Sequence, residues 1–166
     1  MIKSLIGCCA LLLLALLIGC QSAKGPAYAQ EPFAVAKPKN PNNALVYIYR
    51  TEQAYRAKSR SWPAVFLNEQ PLGALKYNRY LVAEVPPGDY ILAATGFSKA
   101  SHGWDFADKE AKFKLQAGHV RFFELTAKFD PSSNTMLGGR MKFLVYLTPV
   151  ASEDAKYAMY ELHRAD

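Results

Sequence analysis

The residue whose chemistry stands out first is Cys20, which closes Leu17-Ile18-Gly19-Cys20 behind a nearly unbroken apolar stretch from Leu5 to Ile18. A thiol in that setting, the bacterial lipobox, accepts a diacylglycerol thioether, and cleavage before it frees an amino group for N-acylation. Met1-Ile2-Lys3-Ser4 supplies the basic start that a secretory signal places before its short apolar core. A membrane-spanning helix needs roughly 20 apolar residues, whereas this run offers about 14. The same tetrapeptide also occurs at Leu5-Ile6-Gly7-Cys8, but with no apolar core before it. Residues 1–19 therefore read as a signal peptide that takes Cys8 and Cys9 with it. Each buried acyl methylene contributes about 0.8 kcal/mol of membrane affinity, so several chains hold a domain firmly. Gln21 follows the cysteine where aspartate would retain a lipoprotein in the inner membrane, which favours the outer one.

A second group is His102, Asp105, Asp108 and Glu110, close together in one stretch. One imidazole and three carboxylates could hold a divalent ion, but the spacing matches no standard metal motif and Lys109 sits among the acids. A solvated loop is the plainer expectation, with no cofactor. The third group is Arg50, Tyr55, Arg56, Lys58, Arg60 and Trp62, cations interleaved with aromatic rings, to which Trp104 adds a second indole. In the cytoplasm such a stretch would suit stacking and phosphate contacts. In the envelope its anionic counterparts are lipid heads, lipopolysaccharide or cell-wall polymer, and nucleic acid is not expected. The alternatives are a solvated charged loop for the cations and ordinary packing for Trp62 and Trp104.

Hydrolytic chemistry finds no support. There is no nucleophile elbow, only Cys20 remains of the 3 cysteines after cleavage, and His119 and His163 stand apart, before a strand and in a tail helix.

The elements that must position these residues are mostly strands. Leu45 to Arg50 is dense in β-branched and aromatic residues. Ala64–Asn68 and Leu72–Lys76 read as a hairpin turning at Asn68-Glu69-Gln70-Pro71. Arg79 to Val85 is a strand that Pro86-Pro87-Gly88 stops, and Asp89 to Phe97 is extended again. Ala111, Phe113 and Leu115 alternate with Lys112, Lys114 and Gln116. Met141, Phe143, Val145 and Leu147 alternate with Arg140, Lys142, Leu144 and Tyr146. Between them, Val120 to Lys128 shifts phase around Phe122-Phe123, which requires a bulge or cover on both faces. Gly138-Gly139 fits the turn before the last strand. After Pro149, Ser152 fits an N-cap, Glu153 and Asp154 a first turn, and Ala155, Ala158, Met159 and Leu162 one helical face.

The remainder bounds the class. Without the signal, about 147 of the 166 residues remain, enough for one domain with a core. A lone cysteine permits no internal disulfide, so burial must stabilise it. The formal charge of +6, from 20 Lys+Arg against 14 Asp+Glu, speaks to partners and solubility rather than fold. Residues 20–43, punctuated by Pro26, Pro32, Pro38 and Pro41, read as a lipidated N-terminus and flexible tether. As a flexible chain it spans roughly 25–30 Å, or about 70 Å stretched as polyproline II.

The series Val46-Tyr47-Ile48-Tyr49-Arg50, Phe66-Leu67-Asn68, Leu72-Gly73-Ala74-Leu75, Tyr80-Leu81-Val82, Val85-Pro86-Pro87-Gly88-Asp89-Tyr90-Ile91-Leu92 and Ala117-Gly118-His119-Val120-Arg121-Phe122-Phe123 resembles the bacterial family called domain of unknown function 2846, found largely in small lipoproteins. The Pro-Pro-Gly-Asp-Tyr portion is also similar to PEGA-type and carboxypeptidase-regulatory-like β modules. Asp89-Tyr90 stands where the family usually carries a histidine or similar polar residue. The resemblance implies a β-sandwich-like fold and no established activity, so it carries over no catalytic residue.

The expectation is a mainly β protein: an antiparallel β-sandwich of about seven to eight strands over residues 44–166, with one C-terminal helix from about 152. It is expected to be a non-enzymatic binding or structural module held to the membrane by diacylglycerol and N-acyl groups on Cys20. Its expected partners are envelope proteins, lipopolysaccharide or cell-wall polymer. The alternative is a metal- or ligand-dependent envelope enzyme using the 102–110 loop.

Overall fold

The computed structural model describes residues 33–51, 61–132 and 142–165. Among the described residues, nine strands and one helix follow in the order β1 (Ala44–Arg50), β2 (Ala64–Leu67), β3 (Gln70–Ala74), β4 (Arg79–Val85), β5 (Gly88–Thr95), β6 (Lys109–Leu115), β7 (Val120–Phe129), β8 (Phe143–Val150), α1 (Ser152–Ala158) and β9 (His163–Arg164). The strands form a five-stranded sheet, β8-β7-β1-β4-β9, and a four-stranded sheet, β3-β2-β5-β6. The fold class is that of the sequence expectation, a mainly β sandwich with a C-terminal helix.

Two pairings are parallel, β1 with β7 and β4 with β9. The chain alternates between layers, β1 to β2–β3, back to β4, across to β5–β6, and back to β7–β8. It thus returns to the flank of β1 in the same direction. A central strand in such a position is covered on both faces, which is why Ala44-Leu45-Val46-Tyr47-Ile48-Tyr49-Arg50 is buried at every residue instead of alternating.

Val46, Ile48, Leu81, Phe123 and Leu125 of the first sheet meet Val65, Leu67, Leu92, Ala94 and Leu115 of the second, and this is the main core. On the other face of the first sheet lies a second cluster of Leu45, Tyr47, Tyr49 and Phe122, closed by Ala155 and Met159. Phe122 and Phe123 therefore serve opposite faces. The phase shift in β7 is met by cover on both sides, since its pairings with β1 and β8 run without a bulge.

Packing begins earlier than the tether reading places it. Phe33 and Val35 join the second cluster, and Phe33 lies edge-on to Tyr47 (5.6 Å) and Tyr80 (5.3 Å). The Ala36 N–H donates to Tyr47 Oη at 3.1 Å. The N–H groups of Lys39 and Asn40 each donate to the Glu84 carboxylate at 2.9 Å, and Asn43 Nδ2 adds a third bond at 3.0 Å. These bonds hold Glu84 below the usual carboxylate range, those from Asn40 and Lys39 most. Residues 33–43 are thus a strap laid on the first sheet.

Local chemistry sets the smaller features. Asn68 and Glu69 both adopt positive φ, 45° and 65°, giving a two-residue hairpin. Gln70 and Pro71 therefore belong to β3 and not to the turn, and Pro71 is tolerated because β3 is an edge. Tyr90, at the departure from the family pattern, donates its hydroxyl to the Pro86 carbonyl at 2.7 Å and stacks on Phe113. The N-cap of α1 is Ala151, without a side-chain cap bond, and Ser152 is the first helical residue. The helix ends at Ala158, so His163 leaves it for β9. There the N–H groups of His163 and Ala165 reach the carbonyls of Asn78 and Tyr80, covering the β4 edge. Gly138-Gly139, Arg140 and Met141 lie outside the described residues. No helix among the described residues is long and apolar enough to cross a membrane.

Candidate functional site

The basic-aromatic stretch divides sharply in space. Arg50 ends the fully covered β1, and so it is pulled inside at 1% exposure. Its Nη1 donates to the carbonyls of Ser61 (3.0 Å) and Leu75 (3.2 Å). The guanidinium centre sits 3.7 Å over the Tyr77 ring and 5.0 Å from that of Trp104. Burial pushes its pKa down, with the neighbouring Tyr77 opposing the shift. Arg50 Nε and Nη2 and Trp104 Nε1 are buried and find no hydrogen-bond partner among the described residues, so the π faces carry much of the compensation for this charge. Trp104, at 6% exposure, belongs to the main core and lies edge-on to Phe106 at 4.7 Å. Its approach leaves no room at Gly96, where a Cβ would stand 2.1 Å from the Trp104 carbonyl oxygen.

Arg50 and Trp104 are thus packing residues rather than ligand contacts. The bond to Ser61 ties that residue to the end of β1. Tyr55, Arg56, Lys58 and Arg60 lie outside the described residues, as does Cys20.

Trp62 stays at the surface, half-buried. Its backbone N–H and C=O exchange bonds with those of His102, both 2.9 Å. The two rings stack at 4.8 Å, the indole N–H donates to the Ala100 carbonyl, and Lys76 Nζ lies 4.9 Å from the indole. The imidazole of the supposed metal group is therefore stacked on tryptophan. Asp105 and Asp108 lie beyond the buried Trp104, and Glu110 points outward from β6. Among the described residues, no three or more His, Cys, Asp or Glu side chains come together as a metal site.

A different feature emerges on the wet face of the second sheet. The register aligns Phe66 with Ala93 and Ala93 with Glu110 across β2, β5 and β6. Ile91, one row along and on the same face, is exposed among them. Asn68 accepts from the Ile91 N–H at 2.7 Å and donates to the Asp89 carbonyl, which fixes one end. Together with Glu69 these residues line a groove of about 630 Å³, apolar on its floor and carrying two carboxylates. Its sequence signal is the run Ile91-Leu92-Ala93-Ala94, where strict alternation would place polar residues at 91 and 93. A groove of this kind suits an apolar or cationic segment, or the face of a ring.

No curated protein matches the chain. A family model described as protein of unknown function (DUF2846) matches residues 40–140, more than half of the 166, from the end of the strap through β7. The matched stretch holds Arg50, the Trp62–His102 contact, Trp104 and every residue of the groove. On that match, the chain belongs to the DUF2846 family of proteins of unknown function.

Proposed function

We propose that this chain is a lipoprotein of the bacterial cell envelope whose sandwich works as a non-enzymatic binding or structural module. The observation that carries the reading is Leu17-Ile18-Gly19-Cys20 behind a short apolar core. Diacylglycerol and N-acyl groups on Cys20 hold the domain to the membrane, the outer one given Gln21. The stack of the His102 ring on Trp62 weighs against the rival metal-dependent enzyme and so supports binding over catalysis. The partner is an envelope protein or a surface polymer, met by the groove over Phe66, Ile91 and Ala93, since exposed sheet faces and edges suit such contacts.

Two measurements test this. Labelled palmitate should enter the wild-type protein and not Cys20→Ala, and a wild type that took up none would end the lipoprotein reading. A photo-crosslinking residue at Ile91, in intact envelopes, should capture a reproducible adduct that the same residue at Lys114 does not. Equal capture at both positions would remove the groove as the partner surface.

A further inference from the structure

The strap has a consequence for how the domain meets the membrane, one that rests on the lipidation of Cys20 proposed above. Phe33 packs on Tyr80, next to the β4 start at Arg79, and on Tyr47, midway along β1. From there residues 33–43 run toward Glu84 and the opposite end, where β1 begins. The chain therefore enters the domain nearer its Arg50–Arg79 end than the opposite one. Between Cys20 and Phe33 lie residues 21–32, which at full extension span at most about 45 Å, well short of the reach of a tether running to Asn43. The ten residues of β7 alone span about 33 Å. Laying the opposite end of the sandwich on the membrane would use most of that contour length and leave few chain conformations available.

The entry end also carries the groups that an anionic bilayer attracts. Phe97, on the loop leaving β5, is a large apolar side chain at 89% exposure. That loop returns through His102 to the half-buried Trp62, with Lys76 against the indole. Lys76, Lys99 and Arg164 are exposed and Arg79 is half-buried. Aromatic rings beside lysine and arginine make an interfacial pattern, in which rings enter the headgroup layer and cations meet phosphate. Asp105, Asp108 and Glu161 share this end, so the position of Lys76 against Trp62 and of Lys99 next to Phe97, rather than net charge, favours contact.

We infer that the Arg50–Arg79 end of the sandwich is its membrane-facing surface, with Phe97 and Trp62 at the headgroup layer and Lys76 and Arg164 against anionic phospholipid. The groove on the second sheet then faces sideways, open to a partner.

The test uses full-length, lipidated protein in phosphatidylglycerol–phosphatidylethanolamine vesicles carrying doxyl-labelled lipid. An environment-sensitive dye is placed on Phe97→Cys or, at the opposite end, on Glu69→Cys, because the lipidated Cys20 leaves no competing thiol. The dye at 97 should be quenched severalfold more than the dye at 69. Adding Lys76→Glu and Arg164→Glu should lower quenching at 97 in these vesicles but not in phosphatidylcholine. Equal quenching at the two positions in protein that floats with vesicles and carries acyl chains would overturn the orientation and leave the anchor standing. Protein that does not float would overturn the anchor and the orientation together. Both cysteine positions are exposed, so these variants are expected to fold, and a native circular dichroism spectrum checks that.

Discussion

The two sheets are built from similar strand sequences and end in different circumstances. The first is covered twice, by the main core on one face and by the strap and α1 on the other, so that every residue of β1 is buried. Among the described residues the second packs on one face only, and its outer face keeps Phe66, Ile91 and Ala93 around a groove. The elements that complete the cover of the first sheet, residues 33–39, β8, α1 and β9, fall outside the matched family region. Burial on both faces makes a strand a poor place for recognition and a good place for stability. The second sheet can accept substitutions on its wet face with little loss, and it is the layer free to present a surface that a partner reads.

The largest effect expected from this contrast compares Tyr47→Ala with Phe66→Ala in equilibrium unfolding. Tyr47 stacks on Phe122, meets Phe33 and accepts the Ala36 N–H, so its loss should cost roughly 3–5 kcal/mol. Phe66 lies on the wet face and should cost about 1 kcal/mol or less. Similar losses at both positions would mean that the outer face of the second sheet contributes to packing as much as the doubly covered first sheet does.

The junction between the sheets comes next. Arg50→Lys keeps the charge but loses the planar guanidinium that bonds Ser61 and Leu75 while stacking on Tyr77, a loss of about 1.5–3 kcal/mol. Thermal unfolding would show it, and an unchanged midpoint would mean that the aromatic neighbours hold an ammonium equally well. Gly96→Ala forces a Cβ against the backbone oxygen of Trp104, which no side-chain rotation can relieve, and should cost roughly 1–3 kcal/mol. A Gly96→Ala protein as stable as the wild type would show that the 96–104 connection can shift to make room.

These positions also mark where the sequence could and could not be read. Strands whose side chains alternate, such as β6 and β8, announce both their existence and their inward face, because one face meets water. The turn at Pro86-Pro87-Gly88 and the helical spacing of Ala155 and Met159 were equally legible. Arg50 was not: a cation after an aromatic run looks like a surface residue until Tyr77 and Trp104, distant in sequence, are seen to enclose it. Parallel pairing escaped for the same reason, since nothing local distinguishes a strand that returns through the other layer. His102 and the acids after it are adjacent in the chain, but the burial of Trp104 between them decides where they go. The strap was hidden by composition, for its contacts are mostly backbone N–H groups donated to Tyr47 and Glu84, and composition does not report those. The groove needed the register of three strands.

The smallest effect concerns the strap itself, and it asks whether the cover of the first sheet can be lifted without disturbing the second. The bonds from Asn40 and Lys39 hold Glu84 below its usual value of 4.5, so the folded state binds its proton less readily than the unfolded state does. The sign follows from linkage. The stabilisation by this carboxylate is complete above the unfolded value and is lost as pH falls through the lower folded one. Acidification below about 4.5 should therefore raise amide exchange at Lys39 and Asn40 while Leu92 and Ala94, in the second sheet, stay protected. In Glu84→Gln the exchange at Lys39 and Asn40 should be faster near neutrality and lose its dependence on pH in the acid range, once the intrinsic exchange rate is divided out. Because the carboxylate is exposed, water competes for every one of these bonds, and the change should be confined to the strap. Strap and second sheet opening together as the pH falls would mean that residues 33–43 are part of one cooperative core, and the distinction drawn between the two sheets would then fail at the strap.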